Sequence, residues 1–91
     1  MRRVQGERTI PLPRWPTPAT AFPSVRGRDV VLTDHTGREL WGWVAWSDLR
    51  TDRAGRHVID VIPRDQWGAH TVAKVMPTTT RCWDAADVWV V

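Results

Sequence analysis

Ninety-one residues, with five of the seven prolines crowded between Pro11 and Pro23, allow one domain at most, and about two-thirds of the chain to build its core. A core that small leaves little room for a deep active site, and its stability is expected on the order of 3 to 9 kcal/mol. The formal charge of +3 rests on arginines interleaved with aspartates, which excludes a solid basic tail and gives only a weak preference for anionic partners.

Met1-Arg2-Arg3 resembles the start of a secretory signal, but no continuous apolar run follows it, and no stretch approaches the ~20 apolar residues that span a bilayer. The single cysteine, Cys82, excludes an intrachain disulfide and a multi-cysteine metal site. A soluble, cytoplasmic protein is expected, or one incorporated into an assembly made in the cytoplasm.

Residues 1–24 read as an extended arm. Pro11, Pro13, Pro16, Pro18 and Pro23 each remove a backbone donor and bias the preceding residue toward extended geometry, so the segment is neither a helix nor a central strand. Ile10, Leu12, Trp15 and Phe22 are apolar anchors within it, which predicts that the arm docks on a surface rather than serving as a solvated linker. Pro13-Arg-Trp-Pro16 has the spacing of a proline-rich docking peptide, a signal that any proline-dense stretch yields.

From residue 25 to 91 short β-branched and aromatic runs alternate with turn signals every 8 to 12 residues or so, as in a small sandwich or barrel, and helical periodicity is not evident. Asp29 to Thr33 is the first predicted strand, followed by a turn at Asp34-His-Thr-Gly37. Glu39 to Trp46 is the second; simple alternation puts Leu40, Val44 and Trp46 on one face and Trp41, Trp43 and Ala45 on the other, with Gly42 marking a bend. A loop with a turn at Asp52-Arg-Ala-Gly55 leads to a third strand, His57 to Ile62, which Pro63 stops. Arg64 to Ala69 reads as a loop and His70 to Met76 as a fourth strand with Thr71, Ala73 and Val75 inward. A single 3₁₀ turn at Asp84 to Asp87 precedes a last strand, Val88 to Val91.

The first-hairpin pattern from Val30 to Val44 and the ending Trp83-Asp-Ala-Ala-Asp-Val-Trp-Val90 resemble the small SH3-like barrels, including the KOW and Tudor-like domains. The resemblance covers about residues 25 to 91 and is to a fold rather than to one family. It implies an all-β, five-stranded SH3-like barrel behind the proline-rich arm, and a binding module for peptides, modified side chains or nucleic acid. The chain has no tyrosine, so the tyrosine-lined groove of true SH3 domains does not carry over.

Seven tryptophans exceed what so small a core holds. Trp46 and Trp83 are expected mainly inside, and some of Trp41, Trp43, Trp67 and Trp89 partly outside. The expected partner-binding residues are Trp41, Trp43, Arg38, Arg56 and Trp67 on the barrel, with Trp15, Pro13 and Pro16 on the arm. The leading reading is a non-catalytic module whose partner is another protein or a second copy of itself, including a small accessory or phage structural part; folding of the arm over Trp41 and Trp43 would bury them with no partner at all. The alternative is a nucleic-acid-binding module that stacks bases on tryptophan and neutralises phosphates with arginine.

No nucleophile and base, phosphate loop or metal constellation stands out, so neither catalytic residues, a metal, a small-molecule cofactor nor a membrane partner is expected. Cys82 is expected to be a small buried residue. His57 and His70 would be neighbours only if the third and fourth predicted strands pair.

Overall fold

Asp34-His-Thr-Gly-Arg38 and Asp52-Arg-Ala-Gly-Arg56 repeat one five-residue pattern, and in the computed structural model, which describes residues 16–91, both close in the same way. The Asp34 carboxylate accepts the Thr36 and Arg38 amides at 2.8 and 3.0 Å, and the Asp52 carboxylate accepts those of Ala54 and Arg56 at 2.9 Å each. Gly37 and Gly55 then take φ of +85° and +84°, the left-handed geometry that completes a hairpin turn of this length.

These turns connect the strands of one antiparallel sheet that curls into a half-barrel. In chain order the elements are β1 (Thr17–Pro18), a 3₁₀ turn (Ala19–Ala21), β2 (Asp29–Thr33), β3 (Glu39–Ala45), β4 (Arg50–Thr51), β5 (His57–Pro63), α1 (Arg64–Ala73), β6 (Arg81–Asp84), a second 3₁₀ turn (Ala85–Asp87) and β7 (Val88–Val90). The sheet runs β1-β7-β2-β3-β5-β4, and β6 pairs with β5. Trp15 and Pro13 lie outside the described residues; Pro18 takes an edge strand, where a missing amide is tolerated.

Two irregularities bend the second hairpin arm. Against β2, the partners run Asp29–Val44 and Val30–Trp43 and then Leu32–Leu40 and Thr33–Glu39, so β3 carries one extra residue, and Gly42 within it takes φ +88°. Leu40 and Trp43 consequently both pack against the core, while Trp41 is 59% exposed. The expectation that Trp41 and Trp43 share a face is corrected by this bulge, as is the placing of Leu40 and Val44 together. Between β3 and β4 the amides of Trp46 and Ser47 both approach the Asp60 carbonyl, at 2.8 and 3.3 Å, before pairing resumes at Arg50–Val58. Trp46, expected in the core, sits half-buried at this second bulge, against α1.

The core lies on the inner side of the curl. Val30, Leu32, Ala45, Ile59, Val61, Val88 and Val90 fill it, with Ala19, Val25 and Ala85 sealing its open side and Phe22, Leu40, Trp43 and Trp83 around them. Trp83 also donates its indole N–H to the Thr33 carbonyl at 3.0 Å, which satisfies its one polar atom. Val44 and Ile62 pair directly and are buried outside that cluster, on strands against which α1 packs. β3 and β5 are thus covered on both faces at this point.

α1 is a correction of the expected loop at 64–69 and strand at 70–76. Pro63 ends β5 but has the extended geometry of a helix-preceding residue, with φ −60° and ψ 146°, and Asp65 occupies the first turn. Lys74, at φ +59°, ends the helix. Thr71, Ala73 and Val75, expected inward, are exposed, and every residue of α1 is at least partly so. The strand that follows β5 in the sheet is β6, eleven residues on from the expected start at His70. With His70 on a helix, the strand pairing that would have set it beside His57 does not exist. Among the described residues no helix is long and apolar enough to cross a membrane.

Nothing lies within 4 Å of a Cβ built on Gly42, so Gly42→Ala tests backbone geometry alone. Its expected cost is about 1–2 kcal/mol, and a β-branched Gly42→Val costs more. Urea unfolding reads both as lowered midpoints at an unchanged slope; an undisturbed midpoint for Gly42→Ala would contradict the bulge.

Candidate functional site

β7 and β2 place Trp89 and Val31 opposite each other, and alternation with the inward Val30, Leu32, Val88 and Val90 turns both toward the outer face. Thr33 follows on the same face, and β3 adds Glu39 as its partner. Among the described residues Pro16, immediately before β1, joins Val31, Thr33, Glu39 and Trp89 in lining an apolar groove of about 280 Å³. Val31 is only 2% exposed although it faces away from the core, so this side of β2 is covered rather than open to solvent at that position.

The polar side chains among the described groove residues have partners. The Trp89 indole N–H points at the Thr33 hydroxyl at 3.4 Å, a long and weak bond, and that hydroxyl lies 3.4 Å from both the carbonyl and the carboxylate of Asp87. The Trp41 indole donates to the Glu39 carboxylate at 3.1 Å, which fixes the orientation of an exposed ring beside the groove. Arg38 belongs to the adjoining turn through its amide and carbonyl bonds to Asp34. The Asp34 carboxyl is held below its ordinary value, first by the Thr36 hydroxyl and then by the Thr36 and Arg38 amides, so this end of the hairpin carries a firmly ionised acid.

A second aromatic cluster forms where α1 meets the sheet. Trp46 meets Trp67 edge-on at 6.2 Å and His70 edge-on at 4.8 Å. The Arg26 guanidinium lies 4.9 Å from the Trp46 ring and 5.3 Å from the Trp67 ring, while its Nε donates to the Trp46 carbonyl at 2.9 Å. Gly27, at φ +88°, leaves the space that the Trp67 ring fills; a Cβ there would stand 3.1 Å from it. The Arg64–Asp29 ion pair at 3.0 Å and the Gln66 side chain, which accepts the amides of Thr78 and Thr79 at 3.0 Å each, hold the rest of α1 and its exit. This cluster fastens the helix.

The expected contact residues therefore divide. Pro16 and Trp41 come to the outer face of β1-β7-β2-β3, with Arg38 at its end; Trp43 turns to the core; Trp67 belongs to the α1 fastening. Arg56 lies at the opposite end of the β3–β4 run, with two guanidinium nitrogens on one Asp52 oxygen at 2.9 and 3.0 Å. Pro13 and Trp15, the other contact residues expected of the arm, fall outside the described residues. Val31, Thr33, Glu39 and Trp89 were not singled out as one surface by the sequence; the inward valines on either side of Trp89 are the signal that would have placed it outward. Cys82, expected buried, is exposed on β6, with its sulfur 3.7 Å from the Arg50 guanidinium that is paired with Asp60. Among the described residues no three of His, Cys, Asp and Glu gather as metal ligands would. No protein-family model, curated protein or solved structure matches the chain.

Asp48 organises the approach to the second cluster by accepting the Val25 amide at 2.7 Å and the Arg26 amide and Ser24 hydroxyl at 3.0 Å each. These bonds, that from Arg26 foremost, hold its carboxyl below the ordinary value. The folded state then binds fewer protons, so the stabilisation is present above the unfolded carboxyl's pKa and is lost as pH falls through the lower folded one. Asp48→Asn should lower stability at neutral pH and flatten the decline below about pH 4. Denaturant unfolding of both proteins across this range measures it; parallel acid limbs would contradict the assignment.

Proposed function

We propose that this protein is a non-catalytic interaction or assembly module, built as an SH3-like barrel behind a proline-rich arm, that binds another protein through the outer face of β1-β7-β2-β3. The observation that carries the reading is Trp41, 59% exposed and held by Glu39 beside an apolar groove lined in part by Trp89 and Pro16. Aromatic surface that a small domain leaves in water at a groove is the usual anchor of a protein contact. The barrel assignment is supported by the β7-β2-β3-β5-β6 order and the 3₁₀ turn joining β6 to β7. A cytoplasmic setting belongs to the same proposal, because the exposed thiol of Cys82 suits a reducing compartment.

Charge favours protein over nucleic acid as the partner. Arg50, Arg56 and Arg64 are engaged by Asp60, Asp52 and Asp29, and among the described residues the only charged side chain lining the groove is the acidic Glu39.

Trp41→Ala should weaken partner binding by about 30-fold or more, the ~2 kcal/mol of an interface anchor. Folding stability should stay within about 0.5 kcal/mol, because the ring is outside the core. Quantitative capture of the protein partner by the purified chain tests this. Unchanged capture by Trp41→Ala, or saturable oligonucleotide binding that fades steeply with salt, would overturn it.

A further inference from the structure

We infer that α1 is a detachable strap: it opens as one unit while the sheet stays folded, and its opening uncovers a second apolar face made by Val44 and Ile62. The chain leaves the sheet at Pro63, paired with Trp43, and rejoins it at Arg81, paired with Val61, so both ends of the segment 64–80 are tied into strands that pair without it. Among the described residues no backbone hydrogen bond joins α1 to a strand. Side chains alone fasten it, and they crowd into its first two turns. Arg64 pairs with Asp29, Trp67 and His70 meet Trp46, and Arg26 lies against both indoles. The Arg64 and Asp29 side chains are 58% and 50% exposed, and ion pairs and cation–π contacts in water contribute little. Every residue from Thr71 to Met76 is exposed.

Detachment and melting of the helix are one event. Ten residues are too few to hold a helix in water, and Gly68, Thr71 and Val72 lower the propensity of these further. Once Trp67 leaves its seat against Gly27 and Trp46, α1 has no surface to form on. What opposes opening is the burial it ends: Val44 is 1% exposed and Ile62 0%, on the side of the sheet away from the main core. These two side chains are partners across β3 and β5, so the ladder keeps them in place when the cover lifts. The folded sheet thus carries an apolar face that the chain's own helix occupies, and that face is accessible only in the minor, open state. The device is independent of the partner assigned to Trp41.

Native-state hydrogen exchange on the full chain tests the strap. The amides of Gly68, Ala69, Thr71 and Val72 should share one protection factor, at least about tenfold below that of the most protected amides of β2 and β5. Trp67→Ala should lower the α1 value by about tenfold more and leave the sheet amides unchanged; Trp67→Phe, a milder change, should act in the same direction. Uncovering of the face is read by thiol labelling of Ile62→Cys in a Cys82→Ser background, which should proceed faster than labelling of a core Ile59→Cys and accelerate with Trp67→Phe. Exchange of α1 as slow as that of β5 would overturn the inference by making the helix part of the global unit. Protection that declines residue by residue toward Ala73 would overturn it as end fraying, and equal labelling of the two cysteines would show that no opening short of unfolding uncovers Ile62.

Discussion

Gly42, at φ +88°, adds one residue to β3 opposite β2, and the sorting of side chains on either side of the strand follows from that insertion. Before it, Leu40 faces the core; after it, Trp43 does; between them Trp41 is left in solvent. A strand in unbroken alternation would either bury all of its odd positions or expose them together. The bulge lets a small core take one bulky indole from this strand without taking its neighbour. The second irregularity, at Trp46 and Ser47, repeats the device and turns Trp46 out to meet α1.

The two aromatic clusters therefore have different duties. Trp46, Trp67 and His70, with Arg26 against both indoles, attach a helix that contributes no fully buried residue of its own. That attachment covers Val44 and Ile62, which would otherwise be apolar surface on the outer side of β3 and β5. The groove over Trp89 has no such internal fastening from a described element beyond Pro16, and Trp41 stands beside it. A domain with seven tryptophans thus assigns some to its core, some to holding a helix, and some to a face.

The strands that were legible in sequence are those with β-branched runs closed by an Asp-x-x-Gly turn: β2, β3 and β5 fall within a residue of their expected bounds, and so does the 3₁₀ turn before β7. The bend at Gly42 was visible as a glycine, but its consequence for Trp41 and Trp43 was not, because one inserted residue changes the face of everything beyond it and leaves no compositional mark. α1 was hidden for a related reason. Its aromatic contacts are made by Trp67 and His70, three residues apart, rather than by a continuous apolar stripe, and Thr71 and Val72 near its end have β preferences. A strand expected over residues 70–76 takes the place of β6 beside β5, and β6 itself is marked in the structure by Trp83, which reaches both the core and the Thr33 carbonyl. The groove draws on segments far apart in sequence, so only the fold brings Pro16, Val31, Glu39 and Trp89 together.

Cross-strand proton contacts between β2 and β3 in solution measure the central claim most directly. The bulge predicts close contacts for Val30 with Trp43 and for Leu32 with Leu40, pairs whose residue numbers sum to different totals on the two sides of Gly42. Contacts of Val30 with Gly42 together with Leu32 with Leu40, or of Val30 with Trp43 together with Leu32 with Trp41, would mean an unbroken ladder. Trp41 and Trp43 would then share a face, and the division of the tryptophans described above would be wrong.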